Sequence, residues 1–180
     1  LGGAQVIAPA THDTASAVAA VPFREPRSAY VSAGTWSLVG LELDAPLIDD
    51  RTFAANLTNE GGVAGTTRLL RNVTGLWLLH ECRRAWAQEG RDYGFDELVA
   101  LAAEAPPLRS LVDPDDRRFA TPGDMPKRIR EFCAGTGQAE PVEPGAVTRC
   151  VLESVALGHA QAVRLLEDAT GTAPVEVHVV

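Results

Sequence analysis

Two short stretches carry side chains arranged for chemistry. In "HDTASAVAAVP", residues 12–22, His12 and Asp13 stand directly before an alanine-rich helical run. A carboxylate there has two physical uses. It can accept backbone N–H bonds and cap the helix, or, favoured as an anion by the helix dipole, it can take a proton from a nucleophile. Local sequence alone favours the cap. The second stretch is "AGT", Ala33–Thr35, set between two β-rich runs. A tight turn at glycine presents backbone N–H groups at close range and threonine adds a hydroxyl, which together suit a phosphate oxygen. A glycine hairpin without a ligand accounts for the same residues, and no GxxxxGK[ST] loop occurs. Nothing gives His12 a metal partner, so no protein metal cage is expected. Cys82, Cys133 and Cys150 are not spaced as zinc ligands and read as buried thiols of a reducing compartment, with Cys133 and Cys150 in helices that could meet.

The elements that must position these groups follow from patterning. "TASAVAAV" is helix-permissive, and Pro22 with Pro26 closes it. "SAYVSAGTWSLVGLEL" alternates apolar and polar residues around Ala33-Gly34 and predicts a hairpin. "LTNEGGVAGTTRLL" reads as a turn and a third strand. Val73, Leu76, Leu79, Cys82 and Trp86 form one helical stripe over about 73–89, with Trp77 and Trp86 in the core and Asn72 at the helix start as a candidate N-cap. "FDELVALAAEA" predicts a second helix capped by Asp96 and stopped at Pro106-Pro107. Asp124 and Pro126 open a third helix, and the longest runs from Pro144 to a stop at Gly171. "VEVHVV" is a final strand. Strands, then helices, then a returning strand predict an α/β layer with a mixed sheet. An apolar strand with no turn after it, and a start without methionine, predict a piece of a longer protein.

The net charge of −8 and pI of about 5.0 argue against a surface built to cover nucleic-acid phosphates. No apolar run is long enough for a bilayer span, and the opening "LGGAQVIAPA" lacks the features of a signal peptide, so a cytoplasmic protein without membrane partners is expected.

Taken in order, "HDTASAVAAVP", "YVSAGTWSLVGLE", "TNEGG", "LLRNVTGLWLL" and "RRFATPGDMPKRIREFC" resemble the carboxy-terminal half of the FGGY carbohydrate kinases over nearly the whole chain. The resemblance implies an α/β, ribonuclease-H-like domain of the actin, Hsp70 and sugar-kinase type. Residues 1–180 would form one domain of the carboxy-terminal lobe, without the amino-terminal lobe or the end of the carboxy-terminal one. It implies ATP-dependent phosphorylation of a ketose, L-rhamnulose first and L-fuculose or a pentulose as alternatives, with ATP and Mg2+ as cofactors. The partners would be the sugar, ATP and the amino-terminal lobe. By the same likeness Asp13 is the catalytic base, while His12, Asp13, Thr14 and Asn72 contact the sugar. Gly34 and Thr35 face the terminal phosphate. His80 stands where relatives often carry a glutamine near the nucleotide, a departure that leaves its role open. Much of the nucleotide site lies outside these residues, so the segment alone is expected to be inactive. A noncatalytic sugar or nucleotide sensor and a structural self-association lobe are the readings from other classes. A nuclease would need several clustered acids.

Overall fold

The computed structural model describes residues 2, 3, 5, 12–25 and 27–180. Most of the opening stretch read as a loop, and Pro26, lie outside the described residues. In chain order the elements are α1 (Asp13–Ala19), β1 (Ser28–Ala33), β2 (Trp36–Leu43), α2 (Asp50–Ala54), β3 (Thr58–Gly61), β4 (Thr67–Thr74), α3 (Trp77–Gln88), α4 (Phe95–Glu104), a 3-10 turn (Arg117–Phe119), α5 (Met125–Gly135), α6 (Pro144–Thr170) and β5 (Glu176–Val179). The sheet order is β3-β4-β2-β1-β5. β5 runs parallel to β1 and β3 antiparallel to β4. Neighbours joined by only two residues, as β1 and β2 are, must be antiparallel. The sheet is therefore mixed, as patterning predicts.

Four strands, not three, precede the long helices. The glycine-rich stretch is itself a hairpin, its turn using positive φ at Ala64 and Gly65. α2 was not foreseen. It is held by a capping box in which Asp49 Oδ1 accepts from the Thr52 N–H at 2.8 Å and Thr52 Oγ1 from the Asp49 N–H at 3.0 Å. The helix expected from about residue 73 begins only at Trp77, because β-branched Val73 and Thr74 complete β4. Asn72 is consequently a strand residue and not a helix cap. α4 has Gly94 at its N-cap, which places Asp96 inside the first turn. Asp124 does cap α5, accepting from the Lys127 N–H at 3.1 Å. α6 stops at Gly171, which takes φ 69.

The chain divides into two compact units. The first comprises residues 1–32, 38–72 and 162–180. On one face of its sheet Val18 of α1 packs with Tyr30, Leu38 and Leu70, and Phe23 closes the cluster. A Cβ at Gly40 would lie 2.6 Å from the Tyr30 Oη and 2.7 Å from the Leu69 carbonyl oxygen, so glycine is what lets this tyrosine lie flat across the sheet. Burial pushes the Tyr30 phenol well above its ordinary value.

β5 is tied on the same face. Glu176 sits opposite Ser28 in the register. Its carboxylate accepts from the Ser28 hydroxyl and from the Arg24 N–H at 3.2 Å, with His178 Nε2 at 3.0 Å. The Ser28 bond first, then His178, hold its pKa down to about 2 from the ordinary 4.5. A depressed carboxyl stabilises the fold fully above its unfolded value, and that contribution fades as pH falls through the folded one. Amide exchange at β5, corrected for intrinsic rates, is therefore expected to rise as pH drops from 4.5 towards 2. Glu176→Gln should flatten that rise; an unchanged profile would show that Glu176 does not hold the strand.

The second unit comprises residues 33–37 and 73–161. Leu78 and Leu79 of α3, Ile129 of α5 and Val147 and Val151 of α6 form its buried centre with Phe119. Trp86 is buried as expected, and half-buried Trp77 donates its Nε1–H to the Phe119 carbonyl at 2.9 Å. Cys82, Cys133 and Cys150 are free buried thiols, and Cys133 and Cys150 do meet, within hydrogen-bonding reach. Burial raises all three thiol pKa values, Cys150 to about 12.

Candidate functional site

In the first unit, α1 is a seven-residue helix held on the sheet by buried Val18. His12 is its N-cap residue, in extended conformation, and makes no side-chain cap bond. Asp13 is the first helical residue. Its Oδ1 accepts the Thr14 N–H at 2.7 Å and lies 3.4 Å from His12 Nε2. The Asp13 side chain is 95% exposed, and its Oδ2 has no partner among the described residues. One carboxylate oxygen is thus anchored by the backbone, while the other is left without a partner among the described residues. Thr14 is turned the other way: it is buried, and the Ser32 hydroxyl reaches its Oγ1 at 3.5 Å. Of the predicted sugar contacts, His12 and Asp13 are open to solvent and Thr14 is not.

Asn72 sits on β4 two residues beyond Leu70, so strand alternation puts both on one face of the sheet. That is the face covered by α1, through Val18 against Leu70. Asn72 itself is exposed. The strand, rather than a helix start, is what aims it.

In the second unit, the Gly34-Thr35 turn differs from a primed hairpin turn, since neither residue takes positive φ. Glycine serves space instead, because a Cβ at 34 would lie 3.3 Å from the Trp36 carbonyl oxygen, which accepts the Gly34 N–H at 3.1 Å. The turn's carbonyls face the start of α3. Thr35 O accepts from the Gly75 N–H at 3.2 Å and the Trp77 N–H at 3.1 Å, and Gly34 O from the Leu76 N–H at 2.9 Å. The turn thereby caps α3, whose N-cap Leu76 has no side-chain bond to offer. With its carbonyls engaged, exposed Thr35 has neither its N–H nor its hydroxyl bonded among the described residues. Those two donors suit an anionic oxygen. They fit one phosphate group and not a whole nucleotide.

His80 lies on α3, half-buried, its ring edge-on to Phe95 at 5.3 Å, with the Arg83 guanidinium 4.1 Å above the same Phe95 ring. Sequence reasoning missed Gly75. A Cβ there would lie 2.7 Å from Ser37 Oγ and 3.0 Å from the Trp36 carbonyl carbon, and closer still to the Gly34 carbonyl oxygen. The available signal was a glycine inside a supposed helix, which marks either a boundary or a close approach.

The sequence profile of the FGGY family of carbohydrate kinases, C-terminal domain, matches residues 29–180. The His12–Thr14 motif precedes those residues. A rhamnulokinase of Bacteroides thetaiotaomicron is 50% identical over all of this chain and 36% of its own length. One of Pectobacterium carotovorum subsp. carotovorum is 43% identical over 97% of this chain and 34% of its own. The chain thus spans about a third of the length of these curated relatives. Among solved structures, a xylulose kinase from Rhodospirillum rubrum superposes on 88% of this chain and 31% of its own, with a TM-score of 0.60 and 23% identity. One from Bifidobacterium adolescentis covers 87% of this chain and 29% of its own, at TM-score 0.54 and 18% identity. The fold is the ribonuclease-H-like one that the resemblance implies. With the profile spanning most of its residues and a relative half identical over all of them, the chain belongs to the FGGY family of carbohydrate kinases, its residues 29–180 matching the C-terminal domain.

Proposed function

We propose that the full-length protein phosphorylates a ketose with ATP, converting L-rhamnulose to L-rhamnulose 1-phosphate. The observation that carries this reading is the 50% identity, over the entire chain, to a protein named rhamnulokinase. The exposure and free donors of these residues support the reading. A sugar hydroxyl is a poor nucleophile until its proton is accepted. Asp13, whose Oδ1 accepts the Thr14 N–H and whose Oδ2 has no partner among the described residues, would accept it, and exposed His12 beside it would bond a neighbouring hydroxyl. Asn72, exposed on the face that α1 covers, is the further sugar contact. ATP with Mg2+, when bound, supplies the phosphoryl group. Gly34 and Thr35 orient its terminal phosphate through the Thr35 N–H and hydroxyl. The adenosine contacts and a second phosphate-binding segment come from the remainder of the protein, so the chain by itself supports no turnover.

The test is ADP release by the full-length protein with ATP, Mg2+ and a panel of L-rhamnulose, L-fuculose and D-xylulose. The expected result is the highest kcat/KM for L-rhamnulose. Preference for another ketose would reassign the substrate, and sugar binding without ADP release would replace the kinase by a sensor.

A further inference from the structure

The Gly34-Thr35 turn is only as well placed as the stretch it hangs from. Its carbonyls accept three backbone bonds, from Gly75, Leu76 and Trp77, the link between β4 and α3. One loop grips that link on both sides. Before it, the Thr74 N–H donates to Asp115 Oδ1 at 2.8 Å; after it, Trp77 Nε1–H donates to the Phe119 carbonyl at 2.9 Å. The loop is itself firmly built. Phe119 is 1% exposed and packs its ring, tilted by 39°, against that of Phe132 with the ring centres 5.6 Å apart. The Asp116 N–H donates to the Asp113 carbonyl at 3.0 Å and the Phe119 N–H to the Asp116 carbonyl at 2.9 Å. The Asp115 N–H donates to Asp113 Oδ1 at 3.0 Å, which sets the backbone from which the Asp115 carboxylate reaches out. Thr74 is buried while Asp115 is exposed, so with that carboxylate cut back the Thr74 N–H keeps no protein acceptor and must rely on water entering from the Asp115 side. A bond to an ionised acceptor is also stronger than one to a neutral oxygen.

We propose that Asp115 is a positioning residue for phosphoryl transfer: by holding the Thr74 N–H it fixes the Gly75–Trp77 link, and through it the donors of Thr35. This rests on the kinase reading of the turn. Asp115 touches no substrate in this account and acts through the backbone alone.

The experiment compares wild type, Asp115→Ala and Asp115→Asn in the full-length protein, by steady-state kinetics and by amide exchange. Asp115→Ala is expected to lower kcat about ten- to a hundredfold, as displacement of a reacting group by about 1 Å does, with the ketose KM unchanged. Exchange at Gly75, Leu76 and Trp77 should accelerate about tenfold, the worth of one such bond. Asp115→Asn keeps an acceptor oxygen and should restore most of kcat and protection. Wild-type kcat and protection in Asp115→Ala would overturn the proposal. So would equal losses in both variants accompanied by faster exchange throughout the chain, which would mark a merely structural aspartate. Should the wild type turn over no ketose, the kinase reading falls separately, and exchange at residues 75–77 alone decides whether Asp115 holds the link.

Discussion

Asp13→Asn in the full-length protein is expected to lower ketose-dependent ADP formation about 10²- to 10⁴-fold, the usual worth of a positioned general base. Folding should be untouched. The side chain is 95% exposed, and asparagine retains an oxygen for the Thr14 N–H that Asp13 Oδ1 now accepts at 2.7 Å. What it loses is the capacity to take a proton. The variant therefore separates the two uses of an acid at a helix start: a cap tolerates the change and a base does not. Rate measurements beside a thermal melt check it. A variant that turns over like wild type would leave Asp13 as a helix-terminal acceptor and remove the base from the proposed mechanism.

Gly75→Ala carries the second large effect, in turnover and in stability together. The added methyl would lie 2.7 Å from Ser37 Oγ and 3.0 Å from the Trp36 carbonyl carbon, with the Gly34 carbonyl oxygen nearer still. Two of these neighbours are backbone and cannot rotate away. Gly75 does not take positive φ, so the penalty is one of space and not of conformation. Overpacking of this kind costs about 1–3 kcal/mol, readable as an earlier denaturant midpoint. The strain is relieved by moving the turn, and a shift of about 1 Å in a phosphate contact is worth roughly a hundredfold in kcat. Ketose KM should hold, since the sugar contacts proposed for His12, Asp13 and Asn72 lie in the other compact unit. Unchanged kcat in a destabilised variant would show that the turn does not need this placement to work.

The architecture was legible where patterns were long. The 27-residue α6, with Val147, Val151, Val155, Ala162 and Leu166 all buried, follows directly from its periodicity. So does the β1–β2 hairpin from its alternation. Legibility failed at junctions. Val73 and Leu76 share a helical spacing with Leu79, yet Val73 belongs to a strand, because an apolar residue at i and i+3 fits either element over so short a span. That single misplacement moved Asn72 from a strand face to a helix cap and hid the boundary glycine at 75. The five-residue α2 escaped because its stability lies in the reciprocal Asp49–Thr52 bonds and not in an apolar stripe. At the candidate site, the carboxylate at the start of α1 and the donors of Thr35 could be named from residue type and order. The reversed orientation of Thr14 could not, since it depends on Ser32, eighteen residues away in sequence. The grip of Asp115 on Thr74 spans 41 residues and leaves no local signature.

The three thiols have a use at the bench. Cys82, Cys133 and Cys150 are each at most 2% exposed, and burial keeps all of them protonated at neutral pH. Maleimide and iodoacetamide reagents need an accessible thiolate, so within this chain the native cysteines form a silent background. A cysteine introduced at an exposed position such as Ile48 would be the chain's sole reactive thiol, ready to carry a fluorophore or spin label without first stripping three side chains from the core.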